Sequence, residues 1–264
     1  MRARAVLGYV ALGLWNWRAA GADFRILRSQ NPDSIFTISG LWNYYAIMGF
    51  ADEALAQWRH LYAINPNEYR NNVQTLWALG RAARFQEAIG VTKGQLVHSP
   101  RDTFRLDSLC GAYAATGQID QARAIEERLD RLQTNSDSIS DFQDCQFSTD
   151  MATGNRANAL RIRHIVESRF PDNGIKAGDI GIGYVQLGEF DKAGDWFERA
   201  HERRENNFFS VFFLKQAFAY EKAFEKYRMT PGYRALSQKP LFKEWQIEHD
   251  RIAAALTAHR DPLN

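Results

Sequence analysis

Residues 41–66 read LWNYYAIMGFADEALAQWRHLYAINP, two short helical stretches broken at Gly49 and closed by Asn65-Pro66. Two of these residues recur elsewhere at one period. Ala54 belongs to the series Ala20, Ala54, Ala88 and Ala122, and Pro66 to the series Pro32, Pro66 and Pro100, both spaced by 34 residues. Two residue types that share period and phase mark a repeat array, in which one helix–turn–helix unit is stacked on the next. The small residue opens the second helix of each unit and the proline ends it.

The unit length and its residues resemble the tetratricopeptide repeat family, which favours Leu-Gly at positions 7 and 8, Tyr at 11, Gly at 15, Ala at 20, an aromatic at 24 and Pro at 32. The first unit has Leu7, Gly8, Ala20, Phe24 and Pro32 at positions of the same number, and the second has Leu41, Tyr45, Gly49, Ala54, Trp58 and Pro66. The third keeps Leu76, Phe85, Ala88 and Pro100, and the fourth Leu109, Tyr113, Gly117, Ala122 and Leu129. Three extra residues near 137–139 then shift the phase, where a bend or loosening is expected. Gly154, Ala159 and Pro171 mark a divergent fifth unit, and Gly181, Tyr184, Gly188, Phe190, Ala193, Phe197 and Ala200 a sixth. The resemblance implies an all-α, right-handed α-solenoid of about six units near 1–34, 35–68, 69–102, 103–136, 140–173 and 174–207, followed by capping helices over 208–264.

Packing explains the pattern. Gly8, Gly181, Ala20 and Ala193 sit where backbones approach closely, and a larger side chain there would overpack the contact by roughly 1–3 kcal/mol. Gly at position 15 ends the first helix as a left-handed cap. Each unit buries its apolar face only against its neighbours, so stability is a nearest-neighbour property. Beyond 207, Phe209, Phe212, Phe213, Ala217, Tyr220, Phe224 and Tyr227 follow helical spacing and predict one amphipathic capping helix. Phe208, Phe209, Phe212 and Phe213 read either as core against the sixth unit or as a docking surface. Met229 to Lys239, with Pro231 and Gly232, reads as a turn-rich connection, and a last helix follows from about Pro240 to His259.

The N-terminus supports two readings. Met1 to Ala22 has the charged, apolar and small-residue parts of a secretory signal, yet the same residues keep the phase of the later units. The phase favours a repeat helix and a cytoplasmic protein, with a secreted or periplasmic protein as the alternative. The eleven apolar residues from Ala5 to Trp15 are too few to span a bilayer, which takes about 20. The two cysteines, Cys110 and Cys145, make no disulfide framework and fit a reducing compartment. Cys110 occupies a small-residue packing slot of the fourth unit.

No catalytic constellation emerges, and no cofactor or metal is implied. The histidines lack H-E-x-x-H spacing and there is no C-x-x-C. Gly178 to Gly183 has the wrong spacing for a dinucleotide-binding loop. The net charge of +2 excludes the basic bias of nucleic-acid binders. The one enzymatic candidate is the acidic cluster Asp141, Asp144 and Asp150, which could bind a divalent cation.

A protein or peptide is the expected partner, on the concave face that positions 2, 5, 9 and 12 of successive first helices present. Tyr9, Phe36, Asn43, Arg70, Trp77, Phe104 and Asp107 lie there and would suit an extended peptide. Tetratricopeptide domains that grip a chaperone's C-terminal carboxylate carry basic residues and Asn where this chain has Ala5, Tyr9, Arg70 and Gln74, so that clamp is absent.

A closer resemblance is carried by the run from Leu14 to Phe24, by Ala63-Ile64-Asn65-Pro66, by Gly188 to Ala200 and by Lys239-Pro240-Leu241-Phe242. These are similar to the C-terminal repeat region of bacterial multidomain regulators, which join such repeats to a class III adenylate or guanylate cyclase or to a winged-helix domain. The resemblance implies a bacterial regulatory or sensory scaffold, with an orphan or truncated portion of such a regulator as the alternative. A first helix without a capping element also implies a possible homodimer through the N-terminal unit.

Overall fold

The computed structural model describes residues 2–65, 79–80, 83–132, 140–171, 174–205 and 221–258. Among these residues there are fourteen helices and no strand. The first four are α1 (Arg2–Gly13), α2 (Trp17–Gln30), α3 (Ile35–Met48) and α4 (Ala51–Ile64). They are followed by α5 (Phe85–His98), α6 (Thr103–Ala115), α7 (Ile119–Leu132), α8 (Ser140–Thr153) and α9 (Arg156–Ser168). The last five are α10 (Ala177–Leu187), α11 (Phe190–Glu202), α12 (Glu221–Arg228), α13 (Pro231–Ser237) and α14 (Pro240–Thr257). Successive helices pack as pairs, α1 with α2, α3 with α4, α6 with α7 and α10 with α11, and among the described residues α2 packs on α3, α5 on α6, α6 and α7 on α8, and α9 on α10, so the chain is an all-α helical repeat solenoid.

The turns inside the pairs repeat one backbone conformation. Trp15, Gly49, Ala83, Gly117, Gly154 and Gly188 all have positive φ, between 53° and 86°. Glycine reaches that region without penalty, and four of the six turns use it. Trp15 and Ala83 adopt it against steric resistance. At the other end of each pair, α2, α4 and α5 stop at Gln30, Ile64 and His98, each two residues before a proline of the ladder.

The alanines sit at the closest approach between helices. Ala20, Ala122, Ala159 and Ala193 are fully buried and Ala54 and Ala88 nearly so. Phe24 shows what the space beyond them holds. Its ring is clasped between two glycines: a Cβ built on Gly8 would lie 2.8 Å from Phe24 Cε1, and one on Gly40 only 2.3 Å from it. Gly181 stands in the same relation to Phe197, at 2.9 Å. Burying one such ring contributes about 1.5–3 kcal/mol.

The end of the chain departs from the expected caps. α12 packs on α10 and α13 on α11. The segment read as a turn-rich connection is helical over Pro231–Ser237, because Thr230 caps it through Tyr233 N and Pro231 takes the first turn, where its missing N–H leaves no bond unmade. α14 then leaves this end and packs on α2 and α3. Trp245 Nε1 donates to the Ile47 carbonyl at 3.1 Å, His249 Nδ1 donates to the Met48 carbonyl at 2.7 Å, and the His249 ring is stacked between Phe50 and Trp245. Trp15 also touches His201 of α11, with ring centroids 5.7 Å apart. The two ends of the array are therefore joined.

Candidate functional site

Among the described residues, the first helix presents the largest concentration of exposed apolar side chains. Val6, Leu7 and Val10 of α1 and the following Leu14 are 49–59% exposed, and Tyr9 is 37% exposed. The opposite side of the same helix is anchored by Ala5, Gly8 and Leu12. Phe36, at the start of α3, is 38% exposed, and the Arg2 guanidinium stands 5.8 Å from its ring centroid. Tyr9 meets Phe24 edge-on at 5.6 Å. Arg4 is engaged with Asp23 at 2.9 Å.

The other residues expected on the concave face are distributed differently. Asn43 is half-buried and donates to the Ser39 carbonyl at 2.9 Å. Phe104 is half-buried. Asp107 is half-buried, and its Oδ1 accepts the backbone N–H of Cys145 at 2.9 Å and ties α6 to α8. Arg70, Trp77, Phe208, Phe209, Phe212 and Phe213 lie outside the described residues, as does the phase slip at 137–139.

Two members of the acidic cluster, Asp144 and Asp150, are described, and each is engaged by a different neighbour. Asp150 turns toward the α8–α9 connection and accepts from Asn155 Nδ2 at 2.9 Å and from Asn158. Asp144 lies 3.9 Å from Arg163, a buried guanidinium resting 4.4 Å from the Phe147 ring centroid. The Asp141 side chain is outside the described residues. Donor atoms close enough to share an ion converge, among the described residues, elsewhere, between Cys110, Glu126 and Cys145.

Two further expectations are settled by geometry. Gly178, Gly181 and Gly183 lie inside α10 rather than in a phosphate-binding loop. Cys110 and Cys145 are not independent thiols but a disulfide, with Cα atoms 5.3 Å apart. Cys110 holds position 8 of the fourth unit and Cys145, 35 residues on, position 6 of the fifth, which places them on the facing first helices of adjacent units. Each cysteine looked isolated because the pairing is visible only once the two helices are side by side.

An open groove of about 460 Å³ lies at the far end, lined by Gln186, Leu187, Gly188, Phe190, Lys222, Ala223 and Lys226. No helix among the described residues is long and apolar enough to cross a membrane.

Comparison with known proteins agrees on the fold. The chain is similar to the solved structure of a tetratricopeptide repeat protein from Parabacteroides merdae ATCC 43184, with a TM-score of 0.52 and 15% identity over 92% of this chain and 96% of that one. No family model matches the chain, and neither does any curated protein.

Proposed function

We propose that the chain is a non-catalytic protein-binding scaffold that takes a peptide or partner domain on its first repeat. The observation that carries this reading is the exposure of Val6, Leu7, Tyr9, Val10 and Leu14 on one short stretch, with Phe36 and Arg2 beside it. Contiguous apolar surface of this kind, edged by a charge, is the ordinary mark of an interaction site. The occupant that fits is a protein segment with an apolar helical face and a carboxylate positioned for Arg2, since Arg4 is engaged with Asp23. Tyr9 borders both this patch and the inner face that Asn43 and Phe104, with Arg70 and Trp77, line by sequence position.

A second copy of the chain is a competing occupant, because the stripe Val6, Val10 and Leu14 at four-residue spacing can pack against itself across a two-fold axis. The segments similar to bacterial multidomain regulators support placing the scaffold in a regulatory or sensory protein, either free-standing or as part of a cyclase or DNA-binding regulator.

The test is a photo-crosslinking residue at Leu7, compared with one at Ile247, which is exposed on α14, in cells of the native host. Products specific to Leu7 are identified, and binding to the purified partner is measured for Val6→Asp with Val10→Asp and for Arg2→Glu. At least a ten-fold loss in both variants is expected. Equal products at Ile247, or unchanged affinity, would overturn the reading. Self-crosslinking with concentration-dependent sedimentation would select the second copy.

A further inference from the structure

In the fourth repeat a carboxylate occupies the slot that the first repeat gives to a buried ring. Phe24 is clasped between Gly8 of its own unit and Gly40 of the next. One hundred and two residues on, the register puts Glu126 in place of Phe24 and Cys110 in place of Gly8. Cys145, in the first helix of the following unit, takes the place of Gly40. The contacts agree with the register: both Sγ atoms and a Glu126 carboxylate oxygen lie within 4.8 Å of one another.

Packing does not account for this exchange. Glu126 Oε1 is buried and no donor meets that oxygen at hydrogen-bond distance. Both cysteines are fully buried. Two more oxygens border the cluster, the Thr149 hydroxyl 3.7 Å and the Ala122 carbonyl 3.6 Å from Cys110 Sγ. Two sulfurs, one carboxylate and a neighbouring hydroxyl form a donor set suited to a thiophilic divalent ion in four-coordinate geometry.

We propose that Cys110, Cys145 and Glu126 form a zinc-class metal site that exists only when the disulfide is reduced. A dithiol supplies two electrons and two protons, the S–S bond breaks, and the dithiol leaves as its own disulfide. The ion then displaces the two thiol protons and binds both thiolates and the Glu126 carboxylate, with Thr149 or water in the fourth position. A small-molecule disulfide reverses the sequence: the two thiolates lose two electrons, the S–S bond re-forms, the reagent takes up two protons as two thiols, and the ion is released. The disulfide and the metal-bound cluster exclude each other, so the two cysteines are joined by one link or the other.

The full chain, reduced with a phosphine and freed of it without air, is titrated with Co²⁺ and then with Zn²⁺ in competition. One ion per chain is expected, with thiolate-to-cobalt charge-transfer absorption that Zn²⁺ abolishes. The oxidised chain should give none. Cys110→Ser and Cys145→Ser should lose the band, and Glu126→Gln should bind at least ten-fold more weakly. No uptake by the reduced wild type, or equal affinity in the serine variants or in Glu126→Gln, would overturn the site. The comparison of oxidised with reduced wild type keeps the test decisive even where a variant folds poorly.

Discussion

The Tyr44 phenol donates a 2.6 Å hydrogen bond to Glu248 Oε1, joining residues 204 apart in the chain. Both groups are buried, and Arg251 Nη2 closes the network with a 2.8 Å bond to the same oxygen. Burial, followed by the charge of Glu248, pushes the phenol well above its ordinary pKa, so it stays a donor. Tyr44→Phe leaves Glu248 with Arg251 alone and is expected to lower stability by about 1–2 kcal/mol. Trp245→Ala, which deletes the ring between α14 and α3, should cost about 3–5 kcal/mol. Urea unfolding measures both, and a Trp245→Ala protein as stable as wild type would show that α14 is not part of the folded array.

Glu248 and Glu126 should respond to pH in opposite senses. Burial pushes the Glu248 carboxyl up, but the bonds from Arg251 and Tyr44 and the Arg251 charge bring it below its ordinary value. A depressed folded pKa gives stability that is present above the unfolded pKa and lost as pH falls through the folded one. Glu248→Gln should therefore be less stable than wild type near neutrality, with the gap closing in acid. Glu126 is raised by burial, so its favourable contribution is present in acid and lost as pH rises through the folded pKa. In metal-free protein, Glu126→Gln should gain on wild type as pH rises. Denaturation midpoints across pH check both signs.

Gly40→Ala would bring a methyl group to 2.3 Å from the Phe24 ring. Both neighbours are fixed in the core, so the substitution should destabilise by about 1–3 kcal/mol. The smaller side chain of Phe24→Leu should recover part of that loss in the double variant. Additive losses would indicate that ring and glycine are not in contact.

Ala83 holds a left-handed φ of 53° at a turn where four of the other five such positions are glycine. Ala83→Gly removes the steric penalty at an exposed site and should raise stability by about 0.5–1 kcal/mol. Thermal unfolding would register the gain as a higher midpoint.

The Cys110–Cys145 disulfide closes a loop across two adjacent repeats, with a sequence separation of 35. Its reduction should lower stability by about 2–4 kcal/mol in metal-free protein. Unfolding with and without a phosphine reductant measures this. A Cys110→Ser protein that still responds to the reductant would contradict the pairing.

The helix pairs were legible because small residues and prolines recur wherever backbones touch or helices stop, and that recurrence is local. Docking of α14 on α3 was not legible. Trp245 and Ile47 meet across the whole array, and nothing in the spacing of either helix encodes the other. For Asp107, helical phase gives a direction but not a neighbour, and the neighbour is the amide of Cys145. The disulfide left a usable trace: cysteines at position 8 of one unit and position 6 of the next fall on facing helices. Glu126 left another, as a carboxylate at the position where Phe24, Trp58 and Phe197 stand in other units.

Joining α14 to α3 also gives the array a circumference. An open stack can gain or lose a unit and still fold, since only its length changes. Here one added or deleted unit would displace the landing point of Trp245 and His249 by a full repeat and leave Tyr44, Ile47 and Met48 uncovered. The number of repeats is thus a matched dimension, like the length of a buckled strap, and duplication within this chain would have to be accompanied by a new fastening.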